Sequence, residues 1–112
     1  ETALFYILDQ AEKRLPAHML CHEGLLKLIE HDRIHGTEYA QTLRVYLDNS
    51  RNAVRSAKEL YIHRSTFLYR IDRIRETLGS DFDDPDEVLY LMHSFRLLDN
   101  EKRRTKEEGH SA

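Results

Sequence analysis

Seven basic side chains, Arg51, Arg55, Lys58, Arg64, Arg70, Arg73 and Arg75, fall within 25 residues that hold only two acids, Glu59 and Asp72. The chain as a whole carries a net charge of −3, so this is a local positive stripe inside an acidic protein. It is local potential that meets phosphates, and such a stripe is the electrostatic footprint of a nucleic-acid binder. A solvated charged helix would carry the same charges. The apolar pattern beneath them decides between the two readings.

That pattern is the one two crossed helices require. The spacing predicts a short helix over 53–60 with Ala53, Ala57 and Leu60 inward, and a longer one over 64–78 with Phe67, Ile71, Ile74 and Leu78 inward. Ala57 is small where the helices would cross steeply, and Leu60 and Ile62 flank the turn, which together describe a helix-turn-helix. The outer face of the second helix then carries Arg64, Ser65, Leu68, Tyr69, Asp72 and Arg73, with His63 at its entrance. The start of that helix is the part that enters the major groove in this motif. Arg64 is placed to fork onto guanine or to hold a phosphate, and the Tyr69 hydroxyl to touch a phosphate or pack on a neighbouring helix. Arg55, Arg70 and Arg73 are expected to position the protein through phosphates or to face solvent.

The rest of the chain reads as helices that support this pair. Leu4, Ile7, Leu8, Ala11 and Leu15 predict a helix over 2–15 that stops before Pro16. Leu25, Leu26, Leu28 and Ile29 predict another over 22–35, ended by Gly36. Thr37 and Glu38 are expected to cap a third, with Tyr39, Ala40, Leu43, Tyr46 and Leu47 on its spacing of three and four. Asn52 caps the helix that follows the break at 48–52. Gly79 ends the longer helix of the pair, and Asp84 with Pro85 opens a last helix with Val88, Leu91, Met92, Phe95 and Leu98 on one face. Beyond Asn100 the sequence is polar and is expected to fray. The expected fold class is all-α, a multi-helix domain containing a helix-turn-helix.

Other chemistries find little support. His18 and His22 stand four apart, as do His31 and His35, with Cys21 near the first pair. Zinc sites use that spacing, but no His-Glu-x-x-His occurs and the first pair straddles a helix start, so no metal site is assigned. No serine or cysteine nucleophile has a local signature and no glycine-rich phosphate loop occurs, so no enzyme activity or cofactor is expected. Helix capping explains the acids from Asp84 to Glu87 better than calcium does. No apolar run is long enough to span a bilayer and no signal-peptide order appears, so no membrane partner is expected. The single Cys21 fits a cytoplasmic location.

Residues 43–98 resemble the C-terminal DNA-binding domain of PucR and CdaR type bacterial transcription regulators. The resemblance rests on Leu-Arg-Val-Tyr-Leu-Asp-Asn from Leu43, on Ala-Lys-Glu-Leu-Tyr-Ile-His-Arg-Ser-Thr-Phe-Leu-Tyr-Arg-Ile from Ala57, and on Leu-Gly-Ser-Asp-Phe-Asp-Asp-Pro from Leu78. Similar stretches at 28–33 and 36–38 extend it to about residue 22. The same helix pair resembles the Fis-type motif, which implies that His63, Arg64, Thr66 and Tyr69 face DNA. Two positions depart from the pattern. Tyr61 stands where the general motif commonly has glycine, so its backbone is either left-handed or takes another turn, and Leu68 stands where the family is often basic.

The expected organisation is an N-terminal helix and connector over 1–21, joined to an upstream sensing region, then the helix-turn-helix domain over 22–100 and a polar tail over 101–112. A chain that begins at Glu1 reads as a piece of a longer protein. The expected function is sequence-specific binding of double-stranded DNA as a homodimer. The candidate DNA contacts are Asn52, Arg55, His63, Arg64, Ser65, Thr66, Tyr69, Arg70 and Arg73. The alternative is a helical protein-interaction module whose helix-turn-helix does not bind DNA.

Overall fold

The computed structural model describes the backbone of residues 2–110 and the side chains of residues 3–107. Along that span the chain forms α1 (Thr2–Glu12), α2 (Ala17–Leu20), α3 (Glu23–His35), α4 (Tyr39–Asp48), α5 (Ala53–Glu59), α6 (Arg64–Leu78) and α7 (Pro85–His110). The all-α expectation holds. No helix among the described residues is long and apolar enough to cross a membrane.

Helix α6 is the hub of the core. It packs on α3, α4 and α5, while α7 crosses α4 and also covers α1 and α2. Phe67, Ile71 and Ile74 from α6 meet Leu25 and Leu28 from α3, Leu43 from α4 and Leu91 from α7, and each of these is at most 2% exposed. Burying such a set is the dominant favourable contribution to folding. It fixes the orientation of α6 about its own axis, and so decides which side chains face outward. A smaller cluster of Leu8, Cys21 and Leu97 holds α1 and α2 on α7. Burial there pushes the Cys21 thiol up to about 11.

The ends of the helices follow local chemistry, with several departures from the sequence expectation. Gly36 and Gly79 end α3 and α6 at φ of 67° and 69°, the left-handed cap that a side chain resists. The cap of α4 is not made by Thr37. Asp32 accepts from the amides of Tyr39 and Ala40, both at 2.9 Å, and Thr37 Oγ1 donates to the same carboxylate. An aspartate three residues before the end of α3 reaches over because the chain turns back sharply at Gly36. His22 caps α3, its Nδ1 accepting from the Gly24 amide at 2.9 Å, and its Nε2 lies 3.4 Å from Glu87.

Helix α1 stops at Glu12, short of residue 15, and Ile7 and Leu15 are 62% and 45% exposed. Its main neighbour is α7, so only part of the expected stripe is covered. The turn of helix at Ala17–Leu20 has no periodic signal because it is a single turn. Met92 is more exposed than its spacing implied, whereas Leu97 is buried, because α7 must cover α1 as well as α4. The polar stretch expected to fray continues as α7 to His110. There Arg103 pairs with Asp9 and Arg104 with Glu12, each at 3.3 Å, so α1 supplies partners that the local sequence lacks. Residues 111 and 112 lie outside the described residues.

Candidate nucleic-acid interface

Helices α5 and α6 are joined by a turn that Leu60 and Ile62 anchor to the core. The Ile62 amide donates to the Ala57 carbonyl at 3.1 Å and the Tyr61 amide to the Lys58 carbonyl at 3.1 Å. Closing this turn puts Tyr61 at φ 56°, so the tyrosine occupies the left-handed conformation that glycine commonly supplies. Tyr61 is 95% exposed. Ala57 is 4% exposed at the contact between the helices, where the sequence required a small residue.

The start of the pair is fixed by Asn52, whose Oδ1 accepts from the Arg55 amide at 2.9 Å. That cap commits the side-chain carbonyl oxygen of a candidate contact to structure, while its amide nitrogen makes no hydrogen bond among the described residues. His63 sits at the N-cap of α6 in an extended conformation and makes no side-chain cap bond. The first amides of α6 are therefore left open beside it. Arg64, Ser65, Thr66, Leu68 and Tyr69 are all exposed on the first two turns, Ser65 and Tyr69 opposite the buried Phe67 and Ile71 and Arg64 and Leu68 beside them. Tyr69 faces solvent at 61% exposure and does not pack into the core.

The seven basic residues of the stripe divide into two groups. Arg51 donates to the Phe82 carbonyl, and the Arg75 guanidinium lies 5.8 Å from the centre of the Phe82 ring and 3.4 Å from Asp72. Arg70 is half-buried and donates to Thr42 Oγ1 at 3.2 Å, which ties α6 to α4. Arg73 pairs with Glu76 at 3.2 Å along the exposed side of α6. By contrast, the side chains of Arg55, Lys58 and Arg64 are exposed and have no hydrogen bond or ion pair among the described residues. These three lie on α5 and at the first residue of α6, either side of the turn.

Thus Asn52 and Arg55 are exposed at the start of α5, and His63, Arg64, Ser65, Thr66 and Tyr69 are exposed at the entrance and over the first two turns of α6. Arg70 is drawn inward, and Arg73 lies about two and a half turns beyond Arg64. Lys58 and Tyr61 stand beside the turn without being among the sequence candidates. The signal for Lys58 was its place in the basic stripe, whereas the exposure of Tyr61 follows only from the turn geometry.

The family model for the PucR C-terminal helix-turn-helix domain matches residues 39–97. The chain is 38% identical over 56 residues to the purine catabolism regulatory protein of Bacillus subtilis (strain 168), covering 50% of this chain and 10% of that protein. It is 36% identical over 65 residues to the uncharacterized protein YxkF of the same organism, covering 58% of this chain and 21% of that one. The chain therefore spans a small part of the length of these relatives. No solved structure matches it.

Proposed function

The chain belongs to the family of PucR C-terminal helix-turn-helix domains, and from that premise we propose that it binds double-stranded DNA sequence-specifically on behalf of a transcription regulator. In this reading α6 lies in the major groove. Asn52, Arg55, His63, Arg64, Ser65, Thr66 and Tyr69 make the contacts, and Arg70 and Arg73 contribute positive potential behind them. The domain is regulatory rather than enzymatic, and it acts in the cytoplasm as a homodimer on two half-sites about 34 Å apart, under an upstream sensing region.

The observation that carries this reading is the split within the basic stripe. Four of the seven basic side chains have partners, and the three without one among the described residues, Arg55, Lys58 and Arg64, lie on α5 and at the start of α6, the part that this motif uses on DNA. Solvated charges with no common purpose have no reason to sort in that way. Unpaired cations can release counterions from phosphates, and each phosphate neutralised contributes about −0.9 to the slope of log affinity against log salt.

The test is a titration of the chain against a duplex selected from a random pool, and against its scrambled counterpart, over a range of salt. Arg55→Ala and Lys58→Ala should each flatten the slope by about 0.9 and weaken both duplexes alike. Arg64→Ala should cost about 1–3 kcal/mol on the selected duplex and much less on the scrambled one. Equal loss on both duplexes would make Arg64 a phosphate contact. Absence of duplex binding at low salt would overturn the proposal and favour a helical interaction module.

A further inference from the structure

One side chain on the outer side of α6 does not fit a phosphate-binding role. Leu68 is 42% exposed, belongs to neither core cluster, and lies one helical turn beyond the unpaired Arg64. We propose that Leu68 reads a thymine by packing its isobutyl group against the C5 methyl, within about two base pairs of the pair met by Arg64. The proposal rests on the DNA-binding reading above and names the base class that one part of the site recognises.

A lone exposed leucine is ordinary on a protein surface. The setting of this one is not. Phe67 and Ile71, 0% and 2% exposed, hold the adjacent side of α6 in the core, so the backbone that carries Leu68 is rigid while its side chain is free. It shares the first two turns of α6 with Arg64, Ser65 and Tyr69, all exposed. Asp72, one turn further on, would repel phosphates, but Arg75 at 3.4 Å balances its charge.

The chemistry of the groove then selects the base. On the major-groove edge the thymine methyl is the one sizeable apolar group; the other bases show donors, acceptors and only small C–H positions. A leucine pressed against a cytosine or adenine amino group, or against a guanine oxygen, strips water from a polar group and returns no hydrogen bond. Against a thymine methyl it buries apolar surface on both sides. Four residues of helix advance about 6 Å, and bases along a strand are about 3.4 Å apart, which sets the limit of about two base pairs.

The experiment replaces thymines of the selected duplex one position at a time with deoxyuridine, which removes the methyl and nothing else. The probe is bound by the chain and by Leu68→Ala, with thermal melting to confirm that the variant is folded. One position per half-site should weaken the unaltered chain about fourfold, the worth of one buried methyl group, and Leu68→Ala should bind both forms of the duplex equally. If the unaltered chain is indifferent to every replacement, or Leu68→Ala keeps the same loss, the inference fails and the DNA-binding proposal stands. If the chain binds no duplex at all, both fail.

Discussion

The guanidinium of Arg51 donates to the main-chain carbonyl of Phe82, and the two residues it ties together both have left-handed backbones, at φ 63° and 62°. One lies in the break before α5 and the other in the loop after α6. The bond therefore closes the helix pair from both ends. Phe82 is 1% exposed and packs on Tyr46 with ring centres 6.1 Å apart, so the clamp reaches the core. Arg51→Ala should lower stability by about 1.5–3 kcal/mol, the range for a hydrogen bond that involves a charged group. Because Arg51 is engaged in the fold, the salt slope of DNA binding should be unchanged. A flattened slope with unchanged melting would reassign Arg51 to the interface.

Tyr61 offers the opposite case, a residue whose backbone is left-handed and whose side chain is exposed. A left-handed non-glycine residue costs about 1–2 kcal/mol, while glycine is disfavoured by the freedom it adds to the unfolded chain, about 0.5–1 kcal/mol. Tyr61→Gly should therefore raise the melting temperature slightly, with a net gain of about 0.5–1 kcal/mol. A lower melting temperature would mean that the ring, 95% exposed, supports the turn by a contact absent from the fold described.

Ala57 is 4% exposed where α5 packs against α6. Ala57→Leu should lower stability by about 1–3 kcal/mol through overpacking. The expected signature is a lower melting temperature together with loss of DNA affinity, since prying α5 from α6 displaces Arg55 and Lys58 relative to Arg64. An unchanged melting temperature would show that the contact has room to spare.

The helix-turn-helix was legible because each of its parts is a local signal. The 3.6-residue spacing of Phe67, Ile71 and Ile74, the small Ala57, the cap at Asn52 and the stop at Gly79 are all read within a few residues of where they act. What escaped was set by distant partners. Nothing near Arg51 or Arg75 indicates that Phe82 will occupy them, and nothing near Arg70 points to Thr42. The stripe holds seven cations, of which Arg51, Arg70 and Arg75 meet distant partners, Arg73 pairs locally with Glu76, and three have no partner among the described residues. The same holds for the end of α7. Its local sequence is polar, and Asn100, 0% exposed, and Arg103 and Arg104 are held by Asp9 and Glu12 some 90 residues earlier.

That distant contact sets the last prediction. Glu12 is 7% exposed, accepts from Asn100 Nδ2 at 3.2 Å and pairs with Arg104 at 3.3 Å, yet its Oε1 has no hydrogen-bond partner. Burial raises its pKa above the usual carboxylate value and outweighs the lowering by Arg104 and Asn100. The sign follows by linkage. A carboxyl whose pKa is higher folded than unfolded binds more protons in the folded state, so its contribution to stability falls as pH rises from the unfolded to the folded pKa. At neutral pH the charged form is thus less well accommodated than the neutral one. Glu12→Gln keeps the shape and an oxygen for Asn100 while removing the buried charge, and should range from neutral to about 1 kcal/mol stabilising at pH 7. The difference should shrink as the pH is lowered and Glu12 takes up its proton. Melting curves of both proteins at pH 7 and pH 4 give the comparison. A variant clearly less stable at pH 7 would show that the Arg104 pair outweighs the cost of burying the carboxylate between α1 and α7.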